Sequence, residues 1–189
     1  MSEEGQSNGN FIAASRKDII GEHVGSTAPK VADLFQKSRH GVLFVDEAGF
    51  LLHGPKASFN NEAIKEFVRY MELYQDITVV FALYPHEVED WMQLDAGLSS
   101  RIGRIVKFEN YTVTELIQIG QSMCLDRGYQ MAQEAIPEIT SYLKNRMQVL
   151  KEKFGNAREI RKLTEAAIIA KSVRCFDRKS EKPEVVLCR

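Results

Sequence analysis

Gly41-Val-Leu-Phe-Val45 is an unbroken apolar run that ends abruptly at the carboxylate pair Asp46-Glu47. Such a run suits a strand covered on both faces, as in a parallel sheet. A second run, Ile77–Leu83 (ITVVFAL), has the same character, and Phe11–Ala14 and Ile105–Phe108 are shorter ones. Between them the period changes. Val31, Leu34 and Phe35 fall at helical spacing within Ala28–Arg39, and Ile64, Phe67, Val68 and Met71 share one face of Asn61–Tyr74. Strands separated by helices predict βαβ units and a parallel sheet.

From Tyr111 onward the pattern is helical only. Thr112 with Glu115 three residues later forms a capping-box pattern ahead of Leu116, Ile119 and Met123. Ile136–Phe154 is a second helix. Asn156 with Glu159 is a second capping pair, opening a helix with Ile160, Leu163, Ala167 and Ile168. The expected organisation is therefore an α/β part over residues 11–110 and a small all-helical part over 111–175. Residues 1–10 read as a disordered or appended end, and 176–189 as a charged tail. A chain of 189 residues can bury such a core without disulfide or metal staples.

Three widely separated cysteines, Cys124, Cys175 and Cys188, fit neither a CxxC zinc site nor a disulfide framework. They suggest a reducing compartment, and a cytoplasmic location is the expectation. No apolar run approaches the roughly 20 residues of a membrane-spanning helix. Met1–Asn10 lacks the basic-then-apolar pattern of a signal peptide. No membrane partner is expected. Charge is uneven: residues 144–189 hold 13 Lys and Arg against 6 Asp and Glu, and residues 1–143 hold 12 against 20. The basic end reads either as a solvated helix face or as a surface for an anionic neighbour. Few aromatics accompany it and no recognition motif is present, so nucleic acid is not an expected partner.

The chemistry concentrates at three places. Asp46-Glu47 closes a strand, and in open parallel sheets ligands sit at the carboxyl ends of strands. A paired carboxylate there can hold magnesium, which takes one or two carboxylates plus substrate phosphates. A solvated turn after a buried strand would read the same. Arg101, in Gly97-Leu-Ser-Ser-Arg-Ile102, is a loop cation that becomes informative only if it reaches a neighbour's phosphate. Arg158, in Gly155-Asn-Ala-Arg-Glu-Ile-Arg-Lys-Leu163, falls in the first turn of a helix, where the dipole disfavours a cation.

Taken in order, VGSTAPKVADLFQKSRHGVLFVDEA, NNEAIKEFVRYME, ITVVFALYP, GLSSRI, VKFENYT and GNAREIRKL resemble the AAA+ ATPases, of the CbbX and stage V sporulation protein K type. The resemblance covers about residues 11–174. It implies that Asp46 holds magnesium and that Glu47 polarises the hydrolytic water. Tyr84 matches the sensor-1 position and Arg158 the sensor-2 position, both toward nucleotide. Arg101 matches an arginine finger acting on an adjacent subunit, and it should be exposed, facing away from its own Asp46-Glu47, with no internal carboxylate holding it. Gly21, Glu22, His23, Val24 and Gly25 match the pore loop that grips a polypeptide substrate. The implied partners are other subunits, the same or different, in a hexameric ring. The implied cofactors are ATP and Mg2+, provided that a phosphate loop is supplied upstream or by a longer protein.

Two features depart from that pattern. His23 stands where the pore loop usually has an aromatic, so its grip would vary with pH. No GxxxxGK[ST] loop stands before Phe11. Gly25-Ser-Thr-Ala-Pro-Lys30 only imitates one, since Pro29 occupies the position that needs glycine. The expected fold is thus a partial AAA+ parallel sheet, without its first strand and phosphate loop, followed by a helical lid. That first strand would lie between Ile77–Leu83 and Ile105–Phe108. These two must then pair with each other or with another chain. The function implied is a portion of an ATPase module that remodels a protein substrate. Whether this chain is itself an enzyme stays open. A degenerate copy without nucleotide competence, acting as a structural or regulatory interaction module, is the alternative.

Overall fold

The computed structural model describes residues 10–23, 25–52 and 57–177. The two polar ends and Val24 of the expected pore loop lie outside the described residues. The chain divides into two compact units, residues 1–107 and 108–189.

The first unit is a three-stranded parallel sheet in the order β1 (Phe11–Ala14), β2 (Val42–Val45), β3 (Thr78–Phe81). The register pairs Ala14 with Val45 and Val45 with Phe81, so all three strands end together. Helix α1 (Arg16–Ile19) follows β1, and α2 (Thr27–Lys37) runs back to β2. Helix α3 (Ala57–Leu73) links β2 to β3, and two short helices, α4 (Val88–Gln93) and α5 (Ala96–Arg101), close the unit.

Apolar spacing explains the packing. Val31, Leu34 and Phe35 of α2 and Ile64 and Phe67 of α3 are buried together with Leu43 and Val45. Phe35 meets Phe67 edge-on at 5.7 Å, Phe67 meets Phe81 at 5.4 Å, and Phe81 lies 4.8 Å from Trp91. Each fully buried side chain of this size contributes about 1.5–3 kcal/mol. The opposite face of the sheet differs from the sequence expectation. Val42 and Phe44 are only half-buried, and Phe11 and Val80 are exposed. The apolar run of β2 therefore has one fully covered face rather than two.

Ile105–Phe108 is not a strand. Ile105, Val106 and Phe108 are all more than half exposed. A strand exists only through the ladder it pairs with, and β3 pairs with β2 alone. With no strand described between β3 and Ile105–Phe108, the apolar segment has nothing to join. Of the two alternatives expected from sequence, pairing of these segments with each other does not form among the described residues.

The second unit packs α6 (Val113–Leu125), α7 (Ile136–Leu150) and α8 (Ala157–Asp177) around Leu116, Cys124, Ile139, Leu143, Phe154 and Ile160. Thr112 caps α6 as its sequence predicts: Glu115 N–H donates to Thr112 Oγ1 at 3.2 Å, and Thr112 N–H donates to Glu115 Oε2 at 2.7 Å. The matching Asn156/Glu159 box does not form. Asn156 adopts a left-handed φ of 47° and turns its amide to Asn110 and Tyr111. Glu159, buried, turns to Arg146 at 3.2 Å.

Candidate functional site

Asp46 and Glu47 stand at the carboxyl end of the central strand. Asp46 N–H donates to Ala14 O (2.9 Å) and Ala48 N–H donates to Ala82 O (2.8 Å). The pair is therefore pinned between the ends of β1 and β3. Glu47 is strained, with φ 51° and ψ 44°, a left-handed conformation that a side chain rarely takes. Strain of this kind persists only where the surroundings enforce it, and it collects at functional sites. Here hydrogen bonds to Ala14 and Ala82 hold the backbone on either side of Glu47. Both carboxylates are exposed, and neither makes an ion pair among the described residues.

The pair borders a cavity of about 570 Å³ lined also by Ser15, Arg16, Lys17, Ile20, Gly21 and Phe50. Of this wall, sequence reasoning named only Gly21, and for the pore loop. Ser15 anchors it, its N–H and hydroxyl both donating to Asp18 Oδ2 (2.9 and 2.7 Å). The Ser15 hydroxyl, then its N–H, hold the Asp18 carboxyl below the usual range. Arg16 is half-buried, and its guanidinium has no hydrogen bond or ion pair among the described residues. Cations and carboxylates thus share one cavity without neutralising each other. That donor set fits magnesium with a phosphate: Asp46 and Glu47 for the metal, Arg16 and Lys17 near the anion. No group of three or more metal-ligating side chains occurs among the described residues, so the carboxylates would need phosphate oxygens to complete a metal's coordination.

The expected pore-loop residues lie on the segment after α1. Gly21 lines the cavity, and Glu22, His23 and Gly25 are exposed. The base of this segment is fastened. Gly21 N–H donates to Thr27 Oγ1 at 3.0 Å, and Lys30 Nζ donates to Lys17 O and Ile20 O at 2.8 and 3.1 Å. Lys30, the lysine of the imitation phosphate loop, is thus spent on two backbone carbonyls.

Tyr84 follows β3 and is 48% exposed, its ring 5.9 Å from that of His86. It is not among the cavity-lining residues. Its N–H donates to Glu87 Oε2 at 3.0 Å, and the same carboxylate fills the space a Cβ at Gly49 would need. Glu87 thereby joins the turn after β3 to the turn that carries Glu47. Arg158, exposed in the first turn of α8, belongs to the second unit.

Arg101 corrects an expectation. Its side chain is only 27% exposed and is held by an internal carboxylate, Nη2 lying 2.6 Å from Glu72 Oε2. Helix α5 rests on α3, and this packing brings together two residues 29 positions apart.

A parallel sheet with two carboxylates at the end of its central strand is thus followed in the chain by a separate helical unit. Residues 3–110 match the ATPase family associated with various cellular activities (AAA), and residues 112–187 match the AAA lid domain. The chain belongs to the AAA family. It is 36% identical over 172 residues to a ribulose bisphosphate carboxylase/oxygenase activase of Cyanidioschyzon merolae, covering 90% of this chain and 55% of the relative. It is 38% identical over 170 residues to stage V sporulation protein K of Bacillus subtilis, covering 89% and 53%. The chain thus spans about half the length of the curated relatives it matches. The AAA domain of FIGL-1 in complex with ADP shares the fold at a TM-score of 0.64 and 18% identity, over 93% of this chain and 59% of that one. No helix among the described residues is long and apolar enough to cross a membrane.

Proposed function

We propose that this chain is the portion of an AAA ATPase that handles the metal and the hydrolytic water, and that it works in a ring of subunits that remodels a polypeptide. The observation that carries this reading is the unneutralised Asp46-Glu47 pair, fixed at the end of the central strand beside a cavity with two cations. When bound, magnesium ATP supplies the phosphoryl group and the charge neutralisation that its transfer requires. Asp46 would hold the metal. Glu47 would orient a water and take its proton, and its enforced left-handed backbone fixes where the carboxylate starts. Tyr84 and Arg158 would contact nucleotide, and Arg101 would act on the phosphate bound by an adjacent subunit. Gly21–Gly25, with exposed Glu22 and His23, would touch the polypeptide. A hexameric ring and a cytoplasmic location belong to the same proposal.

The test mixes this chain with a family member that has its own phosphate loop and measures hydrolysis per phosphate-loop subunit. Arg101→Ala in this chain should lower the rate by orders of magnitude, about 10³–10⁵ in related phosphoryl-transfer systems. Arg101→Lys should not restore it, because lysine lacks the planar fork of donors. Equal rates in co-assembled mixtures would contradict the in-trans role and leave Arg101 a surface cation.

A further inference from the structure

We propose that Glu72 is a charge latch on Arg101. The carboxylate holds the guanidinium against the chain's own α5 until an anionic phosphate on a neighbouring molecule displaces it. The latch rests on the reading of Arg101 as a residue that acts on a neighbour's phosphate.

The geometry of the pair points to a resting position. Arg101 Nη1 donates to Gly97 O at 2.8 Å, one helical turn back, while Nη2 meets Glu72 at 2.6 Å. The side chain is therefore folded back over α5 rather than extended outward. The platform beneath it is capped and closely packed. Asp95 caps α5 by accepting from Leu98 N–H at 3.0 Å, and a Cβ at Gly97 would lie 3.0 Å from Val68 of α3. Small size at Gly97 lets α5 approach α3 closely enough for Glu72 to reach the guanidinium.

The pair is built to exchange. Glu72 is 72% exposed and Arg101 27%. A carboxylate so well hydrated holds its partner weakly, by about a two- to fivefold bias at most. Arginine has five N–H donors in a planar fork, and two are used here. A phosphate can take two at once and carries more charge than a carboxylate, so it competes well for the guanidinium. A carboxylate left beside an incoming phosphate would repel it. That places Glu72's contribution before engagement, when it keeps Arg101 from binding stray anions, and not during it. The neighbouring cation on α3, Arg69, lies 3.5 Å from Glu66 instead.

The experiment uses the full chain. Phenylglyoxal modification of Arg101 is followed by peptide mass mapping in wild type and Glu72→Gln, with and without tripolyphosphate at constant ionic strength. Arg146, held by buried Glu159, serves as the internal control. Glu72→Gln should speed modification of Arg101 about two- to fivefold and leave Arg146 unchanged. Tripolyphosphate should protect Arg101, and at lower concentration in the variant. Equal Arg101 rates in the two proteins overturn the latch while leaving the trans role of Arg101 intact. Faster modification without protection by tripolyphosphate in either protein overturns the phosphate-exchange step and the latch with it, while the trans role of Arg101 is decided by hydrolysis in the mixed assembly.

Discussion

Gly49→Ala tests whether the turn bearing Glu47 is coupled to the turn after β3. A Cβ at residue 49 overlaps the Glu87 carboxylate, which must swing away and release Tyr84 N–H, now 3.0 Å from Oε2. A hydrogen bond to a charged acceptor is worth about 1.5–3 kcal/mol when protected, and about 1 kcal/mol is a fair figure for this half-exposed one. Against that loss, replacing glycine by alanine restricts the unfolded chain and stabilises by about 0.4–1 kcal/mol. The two nearly cancel in the wild type, so the informative quantity is the double-mutant cycle. In Glu87→Ala the obstacle and the bond are both gone, and Gly49→Ala should then stabilise by about 0.4–1 kcal/mol. In the wild type it should be neutral or destabilising, giving a coupling of about 1 kcal/mol. The sole tryptophan, Trp91, is buried against Phe81 in the same unit and reports its unfolding in urea by fluorescence. At an m-value of about 1–3 kcal/mol/M the coupling appears as a midpoint difference of about 0.3–1 M. Additive effects, with a coupling below about 0.3 kcal/mol, would refute the contact between the two turns.

Three further outcomes follow from the geometry. Asp76 accepts from Arg39 Nε at 2.7 Å and from His40 N–H at 3.0 Å, and Arg39 first, then His40, hold its carboxyl below the usual range. Its stabilising contribution is therefore complete above the unfolded carboxylate value near 3.9 and is lost as pH falls through the depressed folded value. Asp76→Asn should lower Tm at pH 6, and thermal melts should show that difference closing as pH drops below about 4. Burial pushes the Cys124 thiol up, so thiol reagents should leave it unmodified in the folded protein and label it only as urea opens the helical unit. Gly120→Leu should destabilise that unit by about 1–3 kcal/mol, read by circular dichroism, because even a Cβ there would lie 2.8 Å from Ile160.

Much of this was legible in the residues themselves. The run ending at Val45, stopped by two carboxylates, marked a parallel strand and pointed to the candidate site, because period and terminator are local properties. Phe11–Ala14 and the interior of Ile77–Leu83 were legible for the same reason. Ile105–Phe108 was not, since a strand also needs a ladder partner that composition cannot supply. Thr112/Glu115 and Asn156/Glu159 have the same spacing, yet only the first is a capping box. The second is overridden by a left-handed Asn156 and by Arg146, brought to Glu159 by packing. Glu72's hold on Arg101 and the Arg16–Lys17 wall were hidden likewise, because they depend on how elements meet.

The central claim is that Asp46 and Glu47 are the metal and water residues of a nucleotide site that a phosphate loop completes. Its most direct measurement is ATP hydrolysis by a fusion that places the phosphate-loop portion of a family member ahead of Phe11, beside the 189-residue chain alone. The chain alone should hydrolyse ATP no faster than buffer. The fusion should gain turnover, and Glu47→Gln should remove it while ATP stays bound. A folded, ATP-binding fusion whose rate is unchanged by Glu47→Gln, or turnover by the chain alone, would contradict the assignment.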